Sequence, residues 1–222
     1  MFEILSRWLK SWRKTSETLK VGPTQIWSGA PSSLPGSGGA SLTAVKMPTS
    51  LEKPYADFVT AMRQRESGGN YRAKNAYGFL GAYQFGMMRL CDFGLTERVP
   101  EHPKTFRWVL PFSEAGFLTS TRLQDRIFAL HVFSLVSSIR RTMPQELGRE
   151  FGGIRLTLSG AVACCHLLGV GGLRAFIEGK DNADALGTRA SDYITLFANY
   201  QMPKEVLALQ GLETYLKSPP VV

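Results

Sequence analysis

Glu66 is the one carboxylate between Ala61 and Gly86, in the run AMRQRESGGNYRAKNAYGFLGAYQFG. A lone Glu can give a proton to a leaving group and later take one from a nucleophile, provided its surroundings hold its pKa near neutrality. Those surroundings are written in the spacing. Tyr55, Val59 and Met62 lead to Glu66 in steps of four, three and four residues, with Phe58 beside them, so on a helix the acid continues an apolar stripe. Gly68 and Gly69 then predict the left-handed stop that ends such a helix. A helix C-terminus carries partial negative charge and desolvation also disfavours a carboxylate, so both effects push the Glu66 pKa upward. The plain alternative is a glutamate fraying into water in the last turn, since charged side chains are mostly exposed.

Glu66-Ser67-Gly68-Gly69-Asn70, followed by Gly81-Ala82-Tyr83-Gln84, resembles the pair of motifs in soluble lytic transglycosylases and goose-type lysozymes, where a Glu-Ser pair precedes a Gly-Leu-Met-Gln segment. The resemblance implies that Glu66 is the sole catalytic acid and base, that Ser67 supports the bound glycan and that Gln84 lines the cleft. Asn70 and Tyr83 join the expected substrate-binding set, Tyr83 standing where the family has Met. A third family motif, Ala-Tyr-Asn-Ala-Gly, maps onto Cys165-His166-Leu167-Leu168-Gly169. His166 then stands where the family has the Tyr whose hydroxyl bonds the catalytic Glu. A protonated imidazole there would lower the acid's pKa, so a neutral His166 is required. The alternative is a satisfied core histidine.

The likeness spans about residues 50–205 and, with HLLGVGG and GTRASDYITLF, looks most like phage-type and secretion-associated muramidases. It implies a mainly α, lysozyme-like α+β fold: two helical lobes around a glycan-binding cleft, with at most a short hairpin near Tyr77 to Tyr83. The implied activity is cleavage of the β-1,4 bond between MurNAc and GlcNAc in peptidoglycan. Hydrolysis by paired acids needs a second carboxylate roughly 5–9 Å away. None lies between Ser67 and Cys91, and Asp92 falls in a stretch (Met87, Met88, Leu90, Phe93) that reads as a core helix. With one acid, the substrate's own 2-acetamido group and 6-hydroxyl can complete the reaction, leaving a 1,6-anhydro sugar. A water held by a distant Asp would give a hydrolytic muramidase instead.

The elements that must position these groups are legible downstream. Leu123, Ile127, Leu130, Leu135 and Ile139 predict a central helix over Arg122 to Arg141. Thr157 or Ser159 can cap a helix running through His166, and Val170 to Ile177 begins another. Asp181 to Gly187 lacks the glycine position and closing Glu of a calcium loop and reads as an Asx turn before a cap at Thr188 or Ser191. Tyr193 and Tyr200, on the last helix, suit stacking on sugar rings or core packing.

Chain organisation bounds the rest. Residues 1–19 hold an amphipathic basic segment, with Phe2, Leu5, Leu9 and Trp12 opposite Arg7, Lys10, Arg13 and Lys14, suited to a membrane surface, a carrier protein or its own domain. Residues 20–50, rich in Gly, Pro and Ser, read as a linker, 51–205 as the catalytic domain and 206–222 as a C-terminal helix and tail. Cys91, Cys164 and Cys165 suit core packing, with no disulfide framework, metal site or cofactor expected. No stretch is expected to reach the roughly 18 apolar residues of a membrane span.

The net charge of +8 comes without a nucleic-acid-binding motif and suits an anionic wall polymer. No secretory signal opens the chain, so the expected route is synthesis in the cytoplasm and delivery to a bacterial periplasm or cell wall, as an antibacterial effector or phage-type lysin. A secretion-apparatus or phage-tail carrier and an immunity protein are the implied partners. The rival readings are a non-catalytic wall-binding component of such an assembly, and a nucleic-acid-binding protein.

Overall fold

Pro54, with φ −55°, leads into helix α1 (Tyr55–Ser67), which buries Phe58 and Met62 completely. Gly68 stops it at φ 64°, donating its N–H to Gln64 O at 3.0 Å while Gly69 donates to Arg63 O at 3.0 Å. That is the expected glycine termination, with orphan carbonyls of the last turn satisfied. A computed structural model describes residues 53–203 of the chain. The readings for 1–19, 20–50 and 206–222 lie outside the described residues.

After α1 come α2 (Met87–Asp92), β1 (Thr96–Val99), β2 (His102–Trp108), α3 (Glu114–Thr119), α4 (Thr121–Thr142), β3 (Glu150–Phe151), β4 (Ile154–Arg155), α5 (Leu158–Ile177) and α6 (Ala190–Leu196). About 49% helix and 15% strand make this an α-rich α+β fold. The strand content exceeds the expected single short hairpin. Near Tyr77 to Tyr83 only bridges form, Lys74 with Leu80 and Leu80 with Phe85, while two other antiparallel pairs, β1–β2 and β3–β4, were not anticipated. Thr96, Glu97 and Arg98 face Trp108, Arg107 and Phe106 across β1–β2. This ribbon is held by a Glu97–Arg107 ion pair at 2.7 Å and by Arg98 over the Phe106 ring, so it lacks the apolar alternation that marks a half-buried strand. β3 and β4 turn on Gly152 and Gly153, both at positive φ, as a two-residue hairpin loop demands.

α4 is the central helix, beginning at Ser120, whose Oγ accepts from Leu123 N–H. Ile127, Phe128, Val132, Leu135, Val136 and Ile139 are buried along it. α5 starts at its Thr157 cap and loses helical geometry at Gly169 (φ 70°, ψ 177°), which separates the two helical stretches expected from sequence. By length and composition α5 is apolar enough to cross a membrane, with a mean hydropathy of 1.6, against the expectation that nothing here would be. In the fold it is a core helix, with Ala161 to Cys165, Leu173 and Phe176 buried. Both α5 cysteines are free, and burial pushes the Cys164 thiol up to about 12.

α5 and α6 meet almost backbone to backbone at Gly160, where a Cβ would stand 2.6 Å from Ile194 O. An added methyl must therefore push α6 outward, and the overpacking cost of ~1–3 kcal/mol exceeds the ~1 kcal/mol of helix propensity that Gly→Ala gains. Gly160→Ala is expected to lower the urea midpoint of unfolding; an unchanged or higher midpoint would show that the two helices can part freely.

Candidate functional site

Glu66 occupies the last turn of α1 with its side chain only 13% exposed. Two helices close on it. Tyr193, from α6, donates its hydroxyl to Glu66 Oε1 at 2.7 Å, and His166, from α5, brings Nε2 to 3.7 Å from the same oxygen. Burial first, then the neighbouring carboxylate, raises the Tyr193 pKa above the ordinary phenol value, so its hydroxyl stays a donor. The Arg65 guanidinium lies over the Tyr193 ring, 5.7 Å from its centroid.

Local chemistry holds each of these helices in place. Ser67 Oγ donates to Ala82 O at 3.0 Å, joining the end of α1 to the following loop. Gln124, fully buried on α4, accepts from Ala82 N–H and donates to the carbonyls of Tyr71 and Phe117, so every polar atom of its amide except one hydrogen-bonding lone pair is used. Gly81 is needed beneath it, since a Cβ there would stand 2.2 Å from Gln124 Oε1. Asp125, one residue on, accepts from Tyr71 at 2.7 Å and from Tyr83 at 2.6 Å, and Arg63 bonds the Tyr71 hydroxyl. On the other side, α6 begins after Arg189, whose N–H is bonded by Asp192, and Asp181 bonds Ser191 through both backbone and side chain. The cap is therefore neither Thr188 nor Ser191. Asp184 makes the expected Asx turn, accepting from Leu186 and Thr188 N–H.

Behind His166 stands His131, a residue of α4 that the sequence reading passed over. His166 Nε2 lies 3.1 Å from Tyr83 O, and its Nδ1 lies 3.0 Å from His131 Nε2. A carbonyl only accepts, so His166 carries its proton on Nε2 and presents a bare Nδ1 to the Nε2–H of His131. Among the described residues His131 Nδ1 is buried without a hydrogen-bond partner. Burial is the main reason both imidazoles are held below the ordinary histidine value, His131 well below it; for His166 this wins over the opposing pull of Glu66 and the Tyr83 carbonyl. Both rings are neutral at neutral pH, which is the state His166 needs beside an acid.

The expected site residues fare differently. Glu66, His166 and Tyr193 come together, but the hydroxyl on Glu66 that was assigned to the position of His166 comes from Tyr193, which at 3% exposure has no free face for a sugar ring. Tyr83 is also corrected. Its ring is fully buried, stacked on Phe128 at 4.0 Å, and it reaches the site through its carbonyl alone. Ser67 acts as the tie described above. Gln84 is half-buried, in the left-handed region at φ 48°, and donates Nε2–H to Gly81 O at 2.9 Å. Asn70 is exposed and accepts from Arg72 N–H at 2.9 Å, an Asx turn within its own loop. Asp92 is exposed and paired with Arg89.

His131 was findable. It lies four residues after Ile127 and four before Leu135, a polar side chain on an apolar stripe, the pattern that singles out Glu66. Among the described residues no three His, Cys, Asp or Glu side chains gather as metal ligands. Compared with family models, curated proteins and solved structures, the chain matches none.

Two imidazoles whose folded pKa lies below the unfolded value of 6.5 leave the unfolded chain binding more protons as pH falls. Their contribution to stability is complete well above about pH 6.5 and is lost below it, as acid charges the imidazoles of the unfolded chain while the folded rings stay neutral. Urea midpoints should therefore decline between about pH 7.5 and pH 5.5, above the carboxylate range; a flat profile would mean that these rings are not excluded from water.

Proposed function

We propose that this chain is a peptidoglycan-cleaving glycosidase of lysozyme-like type, acting on the MurNAc–GlcNAc β-1,4 bond with Glu66 as general acid and base. The observation that carries the reading is the state of Glu66: largely buried at a helix C-terminus, given a hydrogen bond by Tyr193 and faced by a neutral His166. Such an acid can protonate a glycosidic oxygen from a dry site and then, as a carboxylate, accept a proton from the attacking hydroxyl. In this reading two helical lobes flank a cleft, with Gln84 on its wall and Tyr193 holding the acid's orientation. The Tyr193 bond falls on one oxygen, Oε1, which suits a Glu that keeps its other oxygen for the leaving group.

Among the described residues the groups bonded or ion-paired to Glu66 are Tyr193 and His166, neither an acid. That favours the lytic route, in which the MurNAc 6-hydroxyl attacks the anomeric carbon and yields a 1,6-anhydro end. A hydrolytic muramidase using water is the alternative. The substrate lies outside the cytoplasm, so the proposal includes delivery to a bacterial periplasm or cell wall, as an antibacterial effector or phage-type lysin, with a carrier and an immunity protein as partners. A non-catalytic wall-binding component is the rival from another class.

Digestion of purified sacculi followed by mass spectrometry separates these readings. Glu66→Gln is expected to reduce release of muropeptides by about 10²–10⁴-fold, the usual worth of a general acid–base. Anhydro-terminated fragments from the wild type support the lytic route and reducing ends support hydrolysis. Undiminished release by the variant removes Glu66 from the mechanism, and binding without release by the wild type favours the rival.

Gln84 offers a second test, because its left-handed backbone costs ~1–2 kcal/mol in a non-glycine residue. Gln84→Gly relieves that strain while losing one side-chain hydrogen bond worth ~1 kcal/mol, so stability should stay within ~1 kcal/mol of wild type. If Gln84 contacts the glycan, turnover of sacculi by this variant should fall about tenfold, equivalent to ~1.4 kcal/mol of transition-state stabilisation. Unchanged turnover would confine Gln84 to the turn.

A further inference from the structure

We propose that His131 is a positioning residue for Glu66: by donating Nε2–H to His166 Nδ1, it locks His166 as a neutral Nε2–H donor and keeps positive charge away from the acid. Its catalytic meaning rests on the glycosidase reading; the lock itself does not.

The argument is one of proton positions. His166 Nε2–H is committed to the Tyr83 carbonyl at 3.1 Å, so a proton that charges His166 must go to Nδ1. That atom already faces the N–H of His131 at 3.0 Å. Two N–H groups cannot point at each other across that distance, so His131 would have to shift its own proton to Nδ1, an atom buried with no hydrogen-bond partner among the described residues. Charging His166 therefore demands a buried cation and an orphaned buried N–H together, and natural structures rarely tolerate the second alone. Charging His131 directly meets the same two costs. In the neutral arrangement the unsatisfied group is a lone pair, the milder of the two defects.

The surroundings act in the same direction, Glu66 and the Tyr83 carbonyl excepted. Phe85 and Phe128 pack edge-on or tilted against both imidazoles, and Phe93 against His131, giving neither ring a polar partner. Arg89 of α2, paired with Asp92, adds a positive field that disfavours a cation on either ring. On α5 the residue next to His166 is Cys165, a buried thiol whose pKa burial raises, so it brings no charge. The larger of the two opposing pulls is that of Glu66, 3.7 Å from His166 Nε2 and bonded by Tyr193, which draws a proton toward the pair. Without the His131 donor that pull has less to oppose it. A cationic His166 would then hold Glu66 as a carboxylate, and a carboxylate has no proton for a leaving group.

Long-range ¹H–¹⁵N correlation of the imidazoles in the full chain tests this without reference to activity. Wild-type His166 should show protonated Nε2 and bare Nδ1, and should keep that pattern as pH drops below the ordinary imidazole midpoint of about 6.5. In His131→Gln an amide oxygen can take the place of Nε2 and accept from a protonated Nδ1, so the His166 midpoint should rise by about one pH unit or more. A wild-type His166 that carries its proton on Nδ1, or that titrates near the ordinary value, overturns the lock whether or not any variant folds. So does a folded His131→Gln with an unmoved midpoint.

On sacculi, the acid limb of the pH–rate profile of His131→Gln should move upward with the NMR midpoint, with kcat reduced and KM unchanged. A displaced NMR midpoint with an unmoved acid limb would overturn the link to Glu66. Should wild type cleave no sacculi at all, the glycosidase reading fails while the NMR result still decides the lock.

Discussion

A line of four polar side chains, Tyr193, Glu66, His166 and His131, runs from α6 through α1 and α5 into α4, and burying it requires that donors meet acceptors among the rings around it. Burying a charge unpaired costs far more than burying a hydrogen-bonded neutral group. The chain meets the constraint by pairing donors with acceptors from both ends: Tyr193 gives to Glu66, while His131 gives to His166 and His166 gives to the Tyr83 carbonyl. Four helices and the 81–84 turn therefore have to stand in register before these bonds form together. The same low dielectric that strengthens these bonds makes a break in any one of them costly.

Much of this was readable from the chain itself. The end of α1, its glycine stop, the α4 stripe, the Thr157 cap and the separation of α5 at Gly169 all follow from local rules: periodicity, capping and left-handed glycine. Glu66 was found because a charged residue on an apolar stripe is costly unless something meets it. Other features were not local. Whether Tyr193 faced a sugar, the core or Glu66 depends on how closely α6 approaches α1, which no spacing within either helix encodes. Tyr83 was misassigned because its motif described the turn and not the direction of its ring, which stacks on Phe128 from a helix some forty residues away. The β1–β2 ribbon escaped because its pairs are charge on charge and cation on ring instead of apolar alternation.

The loop between α1 and α2 shows how strain and support are divided. Gln84 sits in a backbone region costing roughly 1–3 kcal/mol for a residue with a Cβ, and such a conformation persists only when its surroundings over-determine it. Here they do. Leu80 and Phe85 exchange backbone hydrogen bonds on either side of the turn, Ser67 holds Ala82 from α1, and Gln124 holds it from α4. Asp125 adds a second anchor through the buried Tyr83 hydroxyl, whose loss would leave an unpaired donor in the core. The turn is thus fastened from two helices, and the carbonyl it exposes, that of Tyr83, is the one that sets the tautomer of His166.

Residue size completes the logic. A hydrogen bond of 2.7 Å between α6 and α1 requires α6 to lie close against the body of the fold, and α5 is the helix on which it rests. At the point of contact α5 offers Gly160, with no side chain to hold Ile194 away. Any larger residue would lift α6 and with it Tyr193, and a carboxyl group that lost its donor would draw water into the seam. Water would then screen Glu66 from the apolar stripe it continues. A glycine with no chemistry of its own thereby controls how dry the acid is, because the polar line survives only while the helices around it are too close to admit solvent.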